Sequence, residues 1–258
     1  MCEEHATRRP TRRPCLASIV ALASLVCTAR ALAQEARPER IGLVLRELRF
    51  GYARIAGEVD ADLIVPVQGF HFDDGVVEAK LLVDTLDEGT FPTSGVRSIV
   101  IWTLADEALG ADVEYQKLAG ACAGYVSADR TTVGVGISYE TALDKTLPFY
   151  RAPGLGGFTR LSGLDPGSIG GQHAGLFVAF VRQRIAGRRA ELFGFPVYVG
   201  ATFEAGNVWA DREDVFDTFR IAGSLFAAVD TPLGPTFFAY GQAEGGAQAF
   251  YLFVGQPF

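Results

Sequence analysis

The sequence predicts an all-β protein, an antiparallel transmembrane β-barrel with about 10–12 strands. Three observations predict it. Polar and apolar residues alternate with period two almost throughout the chain after its first 34 residues, with no convincing run at helical spacing. Short connections alternate with long ones. The last stretch, "AFYLFVGQPF" (249–258), keeps alternating up to a final aromatic, Phe258. Composition narrows the class. Of 258 residues, 49% are hydrophobic and 21% charged, too apolar for a disordered chain. A formal charge of -7, with only Lys80, Lys117 and Lys145 as lysines, argues against nucleic-acid binding.

The first element is a leader, residues 1–33. Arg8, Arg9, Arg12 and Arg13 precede the apolar run "CLASIVALASLVCTA", and Ala31 and Ala33 then form an A-x-A site. A run of about 15 residues is short for a membrane-spanning helix, which needs about 20. A secretory signal peptide cleaved after Ala33 is therefore expected, with 34–258 as the barrel. Cys2, Cys15 and Cys27 leave with the leader. Cys122 then stands alone and no intrachain disulfide can form.

Strand-like stretches follow at roughly 43–56, 62–72, 76–87, 96–104, 113–127, 131–141, 171–185, 196–206, 220–230, 235–244 and 249–258. In "TTVGVGISYET", Val133, Val135, Ile137 and Tyr139 oppose Thr132, Gly134, Gly136, Ser138 and Glu140. In "PVYVGATFEAG", Val199, Ala201 and Phe203 oppose Tyr198, Gly200, Thr202 and Glu204. An aliphatic and aromatic face suits lipid. A face of Gly, Ser and Thr with scattered charges (Glu140, Arg182, Arg184, Glu204) suits a watery lumen. Trp102, Trp209, Phe216 and Phe219 fall near strand ends, where an aromatic girdle sits. Period two also fits a soluble periplasmic β-barrel that binds a ligand, and this reading stays open here. Between strands, "DDG" (73–75) predicts a hairpin turn. The short "SADRT" and "DTPLGP" alternate with the long "NVWADREDVFDTF" and 143–170, as periplasmic turns alternate with outer loops. His71 and His173 lack companions at metal-ligand spacing and are expected to be solvated or lumen side chains. No metal or other cofactor is implied.

Several of these stretches resemble the barrel of the bacterial surface antigen family, which includes the BamA and TamA assembly factors. They are "VDTLDEGTFPTSG", "LPFYRAPGLGGFTRLSGL", "FEAGNVW", "TPLGP" with Pro232, Gly234 and Pro235, and "YLFVGQPF", in that order from about Val76 to Phe258. "RLSGL" and the ending resemble most the barrel joined to secreted patatin-like phospholipases. The resemblance implies an outer-membrane barrel of sixteen strands that acts as anchor or translocator. Its partners would be outer-membrane lipid and, through the strand ending at Phe258, the assembly machinery. This chain has room for fewer strands. "ERIGLVL" (39–45) resembles the opening strand of a patatin domain, yet no G-x-S-x-G nucleophile elbow occurs in the chain. Without a nucleophile on its turn no acyl-enzyme forms, so no lipase activity is expected.

In the family the long sixth loop folds back into the barrel, and an Arg at its tip meets an acidic residue on a neighbouring strand. By position the tip here is Leu161-Ser162-Gly163-Leu164, with Ser162 in place of the Arg, and Glu204 is the acid. Arg160 lies two residues away, on the same side of an extended chain. The expectation is that Arg160 replaces the missing Arg and pairs with Glu204.

Overall fold

The computed structural model describes residues 45–59, 70–185, 195–231 and 234–255. The leader, Pro232 and Phe258 lie outside them. The strands are β1 (Leu45–Val59), β2 (Phe70–Asp84), β3 (Gly95–Ala105), β4 (Tyr115–Ala128), β5 (Thr131–Ala142), β6 (Gly154–Leu155), β7 (Ile169–Gly170), β8 (His173–Arg184), β9 (Val197–Trp209), β10 (Arg220–Thr231), β11 (Gly234–Ala243) and β12 (Gln248–Val254). Ten of them form one sheet in the order β1-β2-β3-β4-β5-β8-β9-β10-β11-β12, antiparallel at every step. β6 and β7 pair with each other inside the connection 143–172.

The period-two reading carries through to the side chains. Along β12 the exposed Phe250, Leu252 and Val254 alternate with half-buried Tyr251 and Phe253. On β10 Leu225 is 65% exposed, whereas Ala222, Ser224 and Ala228 are buried. On β9 Phe203 is half exposed and Glu204 fully buried. A soluble barrel would cover these apolar side chains; a membrane-spanning sheet leaves them for lipid.

Two expectations are corrected. The face of Gly, Ser and Thr does not line open water near β8–β12. Its small residues make room for a loop and for an aromatic cluster of Phe91, Phe158 and Phe237. The "DDG" stretch is not a turn but lies inside β2, so one strand runs through the break expected between 62–72 and 76–87; most of 62–72 lies outside the described residues. The Asp73 backbone N–H donates to Asp112 (2.8 Å), and Asp74 points inward to partners of its own. Gly75 is needed there because a Cβ would lie 2.0 Å from the Leu109 carbonyl oxygen.

The four connections singled out by their length leave the expected ends; length does not sort the rest, since the four residues 244–247 leave the same end as 143–172 and the ten of 85–94 leave the opposite one. Residues 143–172 and 210–219 leave one end of the sheet, here called the loop end. The short link 129–130 leaves the other, the turn end, where β10 also ends and β11 begins. Asp129 takes φ +52° in its two-residue link, which a short polar side chain tolerates. Phe216 and Phe219 are half exposed at the loop end, as a girdle requires, but Trp209, which they contact, is buried beneath them and is not part of it. Trp102 lies three residues from the end of β3.

Candidate functional site

The connection 143–172 folds onto the concave face of the sheet. Leu155, Phe158, Thr159, Leu161 and Ser162 are all buried. Glu204, on the inward face of β9, is fully buried against the loop tip. The Ser162 backbone N–H donates to Glu204 Oε2 (2.6 Å) and Ser162 Oγ to Oε1 (2.7 Å). Thr202, two residues along the same face, donates its hydroxyl to Oε1 (2.6 Å). Three donors thus converge on one acid. The tip also grips β12, since the Gly163 N–H donates to Tyr251 Oη (2.8 Å). Contact with β11 is tight. A Cβ on Gly163 would stand 2.5 Å from the Ala243 nitrogen, and one on Gly241 would stand 2.6 Å from Ser162 Cβ.

Arg160 does not reach Glu204. Its Nη2 donates to the Gly154 carbonyl (2.9 Å), closing the loop on itself. The expectation assumed an extended chain. Thr159 and Leu161 instead take left-handed φ values of 62° and 73°, so residues two apart no longer share a side. Ser162 itself fills the place of the missing Arg, with an amide and a hydroxyl where a guanidinium would supply two N–H groups.

A second anchor holds the root of the loop. Arg151 makes a two-pronged contact with Asp74 Oδ2 on β2, through Nε (2.7 Å) and Nη2 (2.6 Å). Tyr115 Oη on β4 donates to the same carboxylate (3.1 Å). Lys117 Nζ donates to the Arg151 carbonyl (3.1 Å) and pairs with Glu140 (2.7 Å). Asp74 is 1% exposed, so its charge depends on this partner. The loop therefore spans the concavity, from β2 and β4 at its root to β9, β11 and β12 at its tip.

The other end of the concavity is stoppered by the turn 85–94. Its Phe91 stacks on Tyr198 (4.4 Å between centroids) and meets Phe237 (5.8 Å). The Arg182 guanidinium sits over both Phe91 and Tyr198 and donates to the Pro92 carbonyl (2.8 Å). From the loop side Phe158 touches the same Phe237 (6.0 Å) and also Phe226, Tyr251 and Phe253. Two segments entering from opposite ends thus meet on one ring.

A ten-stranded antiparallel sheet, greasy outside and holding a long loop on an inward acid, is a specific arrangement. A sequence model described as the Omp85 superfamily domain matches residues 47–258. The chain belongs to the Omp85 superfamily. Among solved structures it is similar to BamA from Haemophilus ducreyi lacking POTRA domains 1–3. The TM-score is 0.57 and the identity 17%, over 72% of this chain and 42% of that one. The chain thus spans less than half the length of that BamA structure. No curated protein matches.

In this Omp85 chain the loop tip is seated on Glu204 through Ser162. Of the residues expected to matter, Ser162, Gly163 and Glu204 come together, and Arg160 serves the loop internally. Gly234 (φ +109°) and Pro235 open β11, where the Gly255 N–H donates to the Pro235 carbonyl (2.8 Å). The Asp74–Arg151–Tyr115 anchor and the Phe91 stopper were missed. Period two shows that Asp74 shares a face with Val76, but not that Arg151, 77 residues on, lies against it. His173, expected to be solvated or in the lumen, is buried with Nδ1 2.7 Å from Thr141 Oγ1. The side chain of His71 lies outside the described residues.

Proposed function

We propose that this protein is an exported outer-membrane β-barrel domain, an anchor or translocator related to the barrel of patatin-like phospholipases. The observation that carries this reading is the Omp85 match over 47–258 together with a loop seated on Glu204. The outward apolar face supports membrane insertion rather than a soluble ligand-binding barrel. "RLSGL" and "ERIGLVL" support the patatin connection, and the lack of a nucleophile elbow supports a non-catalytic role. The interior is occupied by the loop and the Phe91 turn, so any passage of polypeptide requires one of them to move.

Fractionation of cells expressing the full chain tests the reading. The mature protein, shortened after Ala33, should appear in the outer membrane as a heat-modifiable band. Removing Phe258 should lower that band, whereas Glu213→Ala in the 210–219 connection should leave it unchanged. Recovery from the soluble periplasm would overturn the proposal.

A further inference from the structure

We propose that the turn 85–94 is a movable stopper, which swings off the wall at the turn end while the connection 143–172 stays seated. The inference rests on the translocator reading, in which one of the two segments has to give way, and says which one does. The two are held by different chemistry. The connection is tied down through buried charge. Glu204 is fully buried and accepts from three donors, two of them on Ser162. Asp74 is 1% exposed and is paired with Arg151. Lifting the loop would take both carboxylates away from these partners, and a buried charge that loses its partner is costly. The tip is wedged as well, since Gly163 and Gly241 leave no room between it and β11.

The turn carries no buried charge of its own. Asp87, Glu88, Thr93 and Ser94 are exposed, while Phe91 and Pro92 are buried. Among the described residues it meets the wall in three ways. The Phe91 ring lies against Tyr198 and Phe237, Arg182 donates to the Pro92 carbonyl, and the Ser127 hydroxyl donates to the Thr93 carbonyl (2.7 Å). Both carbonyls can turn to water once the turn swings out. Arg182 gains by the same movement. Its Nε is buried with no hydrogen-bond partner, and an unsatisfied buried donor raises the free energy of the closed state. Water admitted where Phe91 had been satisfies it. The turn is also built to move as one piece. The Asp87 carboxylate accepts from the Thr93 N–H (2.8 Å), the Ser94 N–H (3.1 Å) and the Thr93 hydroxyl, and all three bonds lie within the turn. Gly95 (φ +107°) joins it to β3, and glycine absorbs a backbone change at little steric cost.

Thiol labelling tests which segment moves. The full chain is prepared with its four native cysteines replaced by serine. Ala228→Cys places a thiol on the floor of the Phe91 seat, in the row Tyr198, Ala228, Phe237 across β9, β10 and β11. Ala222→Cys places one beneath the loop tip, opposite Glu204 and packed with Leu161. Both alanines are buried, at 1% and 5% exposure. Each chain is purified in detergent, treated with a small maleimide and read on the folded, heat-modifiable band. The Ala228→Cys chain should be labelled about ten times faster than the Ala222→Cys chain, as expected when one segment opens locally more often than the other. Adding Phe91→Leu, which gives up the ring contacts, should speed the first several-fold and leave the second unchanged. Equal or faster labelling of the Ala222→Cys chain overturns the proposal, as does no labelling of either, or no response to Phe91→Leu. If the Phe91→Leu chain does not fold, the comparison of the two alanine positions decides alone. A chain that stays in the outer membrane but fails this comparison loses the movable stopper and keeps its location; recovery from the soluble periplasm refutes the translocator reading whatever the labelling shows.

Discussion

Replacing Glu204 by glutamine separates a hydrogen-bonding latch from an ionic one. Glu204 accepts from the Ser162 N–H on Oε2 and from the hydroxyls of Ser162 and Thr202 on Oε1. A glutamine can set its carbonyl oxygen at the Oε2 place and keep the bond from the Ser162 N–H. Its NH2 then faces two hydroxyl oxygens, which accept as readily as they donate. Every group keeps a partner, so the cost should be about 1 kcal/mol or less, the scale of exchanging one hydrogen bond for another. Glu204→Ala is different. It strands the Ser162 N–H in a site without water, a penalty of about 1–3 kcal/mol, and leaves a void beside it. A combined loss of about 4 kcal/mol is expected for the alanine variant. For a chain of this size 1 kcal/mol moves the midpoint by about 2–4 °C, so alanine should lower it by about 8–16 °C and glutamine by no more than about 4 °C. The assay is the temperature at which half of the folded, heat-modifiable band is lost. If glutamine proves as damaging as alanine, the negative charge itself is required and a cation must oppose it. The assignment of Ser162 as sole replacement for the missing Arg would then be wrong.

Gly163→Ala should unseat the loop tip, because a Cβ would lie 2.5 Å from the Ala243 nitrogen and φ is +106°; protease cleavage within 143–172 should rise several-fold, and unchanged resistance would refute the seating. Arg151→Ala leaves the buried Asp74 without its cation and should cost about 3 kcal/mol or more by thermal melting, with Asp74→Asn in the same chain recovering part of the loss. Phe91→Ala removes the ring between Tyr198 and Phe237 and should cost about 3–5 kcal/mol in urea unfolding if the stopper is a true core. In the turn 85–94, slight burial raises the Asp87 pKa, but bonds from the Thr93 hydroxyl and the Ser94 and Thr93 amides outweigh it and bring the acid below its ordinary 3.8. A depressed value in the folded state means stability that is present above pH 3.8 and is lost as the pH falls through the folded value, so the protection of this turn's amides, taken relative to their intrinsic exchange at each pH, should fall only in that acid range.

The fold was legible because a strand reports its two environments on alternate residues. Phe250, Leu252 and Val254 had to share one face whatever the rest of the molecule did, and the same holds for Val133 and Val135 against Gly134 and Gly136. The lengths of four connections assigned those four to the two ends of the sheet, but 85–94 and 244–247 do not follow length. The acid of the site was legible too, since Glu204 fell among Gly and Thr on the face away from lipid. Its partner was not. Whether Arg160 or Ser162 meets Glu204 depends on the left-handed turns at Thr159 and Leu161, and neither residue type favours that conformation. Those turns exist because Phe158, Leu161 and Gly163 are held by β9, β10, β11 and β12 at once. The placement of Asp74 was hidden for a related reason. An Asp-Asp-Gly run is good turn chemistry locally, and only Arg151, Tyr115 and the Leu109 carbonyl, brought in by tertiary contacts, make it a strand. Alternation is a local property and the sequence by itself determined it. The filling of the concave face joins residues far apart in the chain, Pro92 with Arg182 and Phe91 with Phe237, and only the tertiary structure could decide it.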